Sequence, residues 1–174
     1  PIYLADDRQG QYVIDGWNIT GDAFVQDEEG RFHFAARSDD IILSAGYNIA
    51  APEVEAALLS HEAVAECAVV GIKDALKGEQ PCGFVVMKAG VTQSPAEVEK
   101  ELVGLVRDKI GPVAAFKLAV VVDRLPKTRS GKILRATMVS IADNKEFKMP
   151  ATIDDPAILD EIREALETLG YAKV

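Results

Sequence analysis

Cysteine is scarce in this chain: its 174 residues include two, Cys67 and Cys82, with no CxxC pair and no Cys/His cluster. Both lie in apolar, strand-like surroundings, where free thiols are commonly buried. The pattern offers neither a disulfide framework nor a structural zinc site, and it predicts a reducing, cytoplasmic setting. Histidine is equally thin. His33 and His61 are too isolated for a metal site or a catalytic triad. No apolar run approaches the roughly 20 residues that span a bilayer, and no signal peptide opens the chain. Positive charge is in deficit, with 19 Lys and Arg against 28 Asp and Glu and a net charge of −9. That balance repels phosphate backbones and anionic bilayers, so neither nucleic acid nor membrane is an expected partner. The first residue, Pro1, is not an initiator methionine, and the chain reads as a fragment or processed piece. The remaining composition, 48% hydrophobic and 27% charged, is that of a soluble globular protein.

Against this acidic background one segment stands apart. Arg124, Lys127, Arg129, Lys132 and Arg135 fall within Arg124 to Met138, where no acidic residue occurs. A concentrated positive patch in an acidic chain points to a site for a specific anion. Pro126 and Gly131 make the segment Leu125-Pro126-Lys127-Thr128-Arg129-Ser130-Gly131-Lys132 a loop of sharp local geometry. It is not a phosphate-binding P-loop, which needs Gly in place of Pro126 and Ser or Thr in place of Ile133. Taken alone, Lys132 would be an ordinary solvated charge.

Residues 1–36 carry short apolar-aromatic runs (Tyr12-Val13-Ile14, Ala23-Phe24-Val25, Phe32-His33-Phe34-Ala35) separated by turn signals, and read as a β-meander. Strands are then expected at Ile41–Leu43, Val64–Ile72, Phe84–Met87 and Leu118–Val122. Pro52 opens a helix whose apolar face is Val54, Ala57, Leu58 and His61. Ser94-Pro95-Ala96-Glu97 is a capping box for a helix carrying Val98, Leu102, Leu105, Val106 and Ile110, stopped by Gly111-Pro112. Further helices are expected over 133–142 and 156–169, the second capped by Asp155. The fold class is α+β, with helices packed on a roughly three-stranded sheet after a β-rich leading segment.

Three motifs, in order, resemble the adenylate-forming acyl-CoA synthetase superfamily. Gly16-Trp17-Asn18-Ile19-Thr20-Gly21-Asp22 is similar to its aromatic-x-x-TGD motif. Arg37-Ser38-Asp39-Asp40-Ile41-Ile42-Leu43-Ser44-Ala45-Gly46-Tyr47-Asn48-Ile49, followed by Pro52-Glu53-Val54-Glu55, resembles its Arg-x-x-Asp hinge, glycine turn and P-x-E-(V/I)-E helix start. Pro126–Lys132 is similar to its PKTxSGK lysine motif. The resemblance implies that residues 1–38 end a large N-terminal AMP-binding domain and that 39–174 form a mobile C-terminal domain hinged at Asp39. It implies an ATP-dependent ligase joining a small carboxylic acid to coenzyme A through an acyl-adenylate, inactive as this piece alone and needing the missing N-terminal domain.

The same resemblance implies residue roles. Lys132 is the adenylation cation, Asp22 and Arg37 hold the ATP/AMP ribose, and Asp39 is the hinge. Gly46 and Arg107 face coenzyme A, and Lys127 and Arg129 steer ATP or pyrophosphate. Mg2+ is expected for the full enzyme, with no metal ligand in this chain. A lysine acetyltransferase and deacetylase acting on Lys132 are implied partners. The ordinary readings are a turn residue for Asp22, a tight turn for Gly46, a helix-dipole charge for Arg107, solvated charges for Lys127 and Arg129, and packing for Trp17. Asn48, where acetate-type members often carry Arg, and Ala36 look more like aryl or medium-chain ligases. Residues 148–156 look like acetyl- and propionyl-CoA synthetases. An enzyme loading a carrier protein, or a non-enzymatic α+β interaction module with a phosphopeptide-docking loop, are the alternatives.

Overall fold

The computed structural model describes Gly10 and residues 13–172. The chain divides into two compact units, Pro1–Asp39 and Asp40–Val174.

In the first unit the turn signals fold two hairpins. Asp15 and Gly16 sit at φ of 51° and 82° and turn β1 (Val13–Ile14) onto β2 (Trp17–Asn18). Positive φ at both loop residues matches the twist of the flanking strands. β3 (Asp22–Gln26) pairs with β4 (Phe32–Arg37), which places Asp22 opposite Arg37. Their connection is organised by Asp27, whose carboxylate accepts the Glu29 and Arg31 N–H groups at 3.0 and 2.9 Å. The expected meander is therefore corrected to two separate two-stranded sheets. Turn residues specify where a hairpin closes, but not whether the next hairpin joins it. Trp17 is 78% exposed, so its indole does not pack as expected.

The second unit grows around β7 (Val64–Asp74) and β8 (Gly78–Met87), paired antiparallel along almost their whole length. β7 takes one side of β8. The other side is shared by β5 (Ile41–Ser44), which meets it at Ser44 and Gly78, and by β9 (Leu118–Val121), parallel to Cys82–Val85. β6 (Tyr47–Ala50) completes the sheet through a hairpin with β5. The sheet has five strands rather than about three. The strand missed in the sequence is Tyr47–Ala50, too short and too mixed in polarity to show a period.

Helices cover both faces. Cys67, Val69 and Val85 pack with Val54 and Leu58 of α1 (Ala51–Leu59) and with Val98 and Leu102 of α2 (Pro95–Lys109). Ala68, Val70 and Phe84 turn the opposite way, toward Met138 of α3 (Arg135–Ala142) and Ile162 and Leu166 of α4 (Ile158–Thr168). A strand buried on both faces needs apolar residues at consecutive positions, which is why 67–70 is an unbroken apolar run. The helix starts follow their local signals. Ser94 Oγ accepts the Glu97 N–H at 3.4 Å while Glu97 Oε2 accepts the Ser94 N–H at 2.9 Å. Asp155 accepts the Ala157 N–H at 3.0 Å just before α4. His61 lies beyond the end of α1 rather than on its apolar face, with Nε2 3.1 Å from Glu101.

Two measurements test this architecture. Phe84 is fully buried in the middle of the sheet. Phe84→Ala should cost about 3–5 kcal/mol, read as a lowered denaturation midpoint at unchanged m-value. Burial pushes the Cys67 and Cys82 thiols up to about 12. Neither is then ionised to a useful extent near neutral pH, and the thiolate is the reactive form. A chromogenic disulfide reagent at pH 8 should titrate neither cysteine until denaturant is added.

Candidate active site

In the first unit the site is a carboxylate–guanidinium cluster. Gly21, at φ of 74°, swings the chain so that Asp22 starts β3. Arg37, across the ladder, donates from Nη1 to Asp22 Oδ1 at 3.0 Å and to the Thr20 carbonyl at 3.1 Å. Its Nε donates to Asp39 Oδ1 at 3.2 Å. A side chain at position 21 would lie 3.0 Å from Arg37 Nη2, so glycine serves both the turn and the arginine. Asp39, above all, and then Asp22 raise the Arg37 pKa beyond its already high value. The three residues singled out in the sequence are thus joined by one guanidinium. Among the described residues Asp22 Oδ2 has no hydrogen-bond donor, and a carboxylate oxygen can accept from a hydroxyl.

In the second unit the lysine loop is a compact turn. Thr128 donates its N–H to the Lys132 carbonyl at 2.8 Å and accepts the Lys132 N–H on Oγ1 at 3.1 Å. Its carbonyl accepts the Gly131 N–H at 2.8 Å, and Gly131 takes φ of 84°. Lys127 and Ile133 face each other across an antiparallel bridge. Ser130, Gly131 and Lys132 are left exposed at the tip.

The five-residue basic patch is not uniformly available. Arg124 bridges Asp155 and Glu161 at 2.6 and 2.8 Å, Lys127 pairs with Glu66, and Arg135 pairs with Glu55 at 2.7 Å. Glu55 also accepts the Val69 N–H at 2.8 Å. Among the described residues, Arg129 and Lys132 have no ion-pair partner. The unpaired positive charge of the patch therefore lies on these two, while Lys127 is already engaged. The four acidic partners gave no sequence signal, because each lies 31 to 80 residues from its base.

Gly46 occupies the β5–β6 turn with Ala45, at φ of 84° and 50°. A side chain there would meet nothing within 4 Å, so the backbone conformation alone accounts for glycine within the chain. Arg107 is exposed in the last turn of α2. It lines a cavity of about 420 Å³ with Val106, Pro112, Phe116 and a second cation, Lys117. No motif singles out Lys117, ten residues from Arg107.

The family described as AMP-binding enzyme C-terminal domain matches residues 53–132. The mouse acyl-CoA synthetase short-chain family member 3, mitochondrial, is 47% identical over 152 residues, which is 87% of this chain and 22% of that protein. The acetyl-coenzyme A synthetase of Penicillium chrysogenum is 40% identical over 158 residues, 90% of this chain and 23% of that protein. The chain thus spans under a quarter of the length of these relatives. The structure of o-succinylbenzoate CoA synthetase from Bacillus subtilis, in complex with an acyl-adenylate intermediate, superposes with a TM-score of 0.66 at 33% identity, covering 76% of this chain and 26% of that one. Over most of its own length the chain is thus similar to adenylate-forming acyl-CoA synthetases, and its residues 53–132 match their AMP-binding enzyme C-terminal domain.

Proposed function

We propose that this chain is the C-terminal part of an ATP-dependent, AMP-forming acyl-CoA synthetase. The observation that carries the proposal is Lys132, an ammonium without an ion-pair partner among the described residues, on a braced loop whose other bases, Arg129 excepted, are neutralised. In the first half-reaction a carboxylate oxygen attacks the α-phosphorus of ATP, pyrophosphate leaves, and the acyl-adenylate forms. A fixed cation stabilises the charge that gathers on the phosphoryl oxygens and holds the carboxylate against it. Lys132 supplies that cation. Asp22 and Arg37 hold the ribose, and Arg129 adds positive potential toward the leaving pyrophosphate. In the second half-reaction the sulfur of coenzyme A attacks the acyl carbon and AMP leaves. Arg107 takes a phosphate of coenzyme A, and Asp39 is the hinge about which the second unit changes its presentation between the steps.

The names of the relatives support a short-chain carboxylic acid as substrate over the aryl or medium-chain acids that Asn48 and Ala36 pointed to. Free Cys67 and Cys82 support a reducing, cytoplasmic location. Among the described residues no three His, Cys, Asp or Glu side chains cluster to hold a metal. Acetylation of the exposed Lys132 would remove its charge and stop adenylation, which makes a lysine acetyltransferase and deacetylase the proposed regulators.

Two substitutions in the intact protein test the reading. Lys132→Ala should slow pyrophosphate exchange by about 10²–10³ while sparing thioester formation from supplied acyl-adenylate. Equal losses in both half-reactions would remove Lys132 from the adenylation role. Asp39→Pro should do the reverse, keeping adenylation and losing thioester formation, because proline fixes φ near about −65° and a hinge must visit two conformations. Wild-type rates in both steps would show that the hinge lies elsewhere.

A further inference from the structure

The resemblance of residues 148–156 to acetyl- and propionyl-CoA synthetases has no role in the reaction described above, and the matched family domain stops at Lys132 itself. Yet this tail is what the lysine loop rests on. Arg129 donates its N–H to the Thr152 carbonyl at 2.9 Å, and Asp154 donates its N–H to the Lys127 carbonyl at 2.9 Å. Between these bonds Thr128 faces Ile153 in an antiparallel bridge. Ile153 and, at the loop's entry, Leu125 are both buried in the α3–α4 core. Outside the strap, Arg124 closes the arrangement with Nη1 on Asp155 and Nη2 on Glu161 of α4. The loop is thus held along one flank by its own Lys127–Ile133 pairing and along the other by the tail.

We propose that the segment Pro150–Asp155, locked to α4 through the Arg124 fork, positions the Lys132 loop for adenylation. Arg124, Asp155 and Glu161 are then positioning residues. The inference rests on the adenylation role given to Lys132 above. A lysine side chain has four rotatable carbons, so the accuracy of its ammonium depends on how firmly its own backbone is held. Misplacing a reacting group by about 1 Å can cost about 10²-fold in rate without any loss of charge. The fork itself is solvent-exposed, at 46% for Arg124, 44% for Asp155 and 39% for Glu161. Exposed ion pairs contribute little to global stability. Removing the fork should therefore loosen the loop without unfolding the domain.

The experiment uses the intact protein with Arg124→Ala, Arg124→Lys, Asp155→Asn and Lys132→Ala. Asp155→Asn keeps an acceptor for the Ala157 N–H but puts an NH2 donor where Arg124 Nη1 needs an acceptor, so it breaks the fork and remains informative if Arg124→Ala folds poorly. Pyrophosphate exchange, thioester formation from supplied acyl-adenylate, and amide hydrogen exchange at Arg129 are measured for each. Arg124→Ala should lower the kcat of pyrophosphate exchange by up to about 10²-fold at little-changed KM for ATP. Thioester formation should be retained, the Arg129 amide should exchange faster, and Arg124→Lys should recover part of the rate. If Lys132→Ala slows adenylation but Arg124→Ala and Asp155→Asn do not, the positioning role is overturned and the reading of Lys132 stands. Parallel losses in both half-reactions, marking plain destabilisation, would also overturn it. If Lys132→Ala leaves adenylation intact, both proposals fall together.

Discussion

Everything in the second unit hangs on a single requirement, that β8 be buried on both faces and paired on both edges. Its residues 82–85 pack α1 and α2 on one side of the sheet and α3 and α4 on the other, with β7 along one edge and β5 and β9 along the other. The functional segments are offshoots of that strand's neighbours. The Gly46 turn is carried by β5, and Ala45 at that turn donates its N–H to the Lys77 carbonyl at 2.8 Å, just before β8 begins. The lysine loop follows β9 within a few residues. A sheet pinned at its centre gives both loops a rigid base, and residues on loops with such a base can be both exposed and placed.

Electrostatics then selects among the exposed charges. The chain is acidic, and its basic segment would be a diffuse positive patch if every base were free. Instead Glu55, Glu66, Asp155 and Glu161 take up Arg135, Lys127 and Arg124. Pairing turns three of the five into struts that tie the loop region to α1, β7 and α4. The same chemistry recurs in the first unit, where Arg37 holds both Asp22 and Asp39. In each unit one arginine holds two carboxylates.

Much of this was legible in the sequence where the determinants are local. The Ser94–Glu97 capping box, the Pro52 helix start and the buried runs of β7 and β8 are written in adjacent residues, and each formed as read. The Thr20-Gly21-Asp22 and Pro126–Lys132 motifs were legible because their residue types are demanded by backbone shape as well as by chemistry. What escaped is non-local. The two hairpins of the first unit do not form one meander, Tyr47–Ala50 is a strand only because β5 lies beside it, and Trp17 stays exposed among the described residues. The acidic partners of the basic loop come from elements far along the chain. The Thr152 carbonyl that receives Arg129 is a backbone group, which no side-chain pattern can announce.

The placement of that carbonyl has a consequence for biosynthesis. A chain made from its N-terminus presents β7, β8 and the lysine loop to the solvent before residues 150–155 have left the ribosome. Until they emerge, the N–H of Arg129 and the carbonyl of Lys127 have only water to bond, and Leu125 lacks the buried neighbours that Ile153 and α4 supply. The loop thus acquires its full set of bonds only after those residues have emerged. A nascent or prematurely terminated chain holds the entire matched family domain and every motif residue, yet its lysine loop remains unfinished.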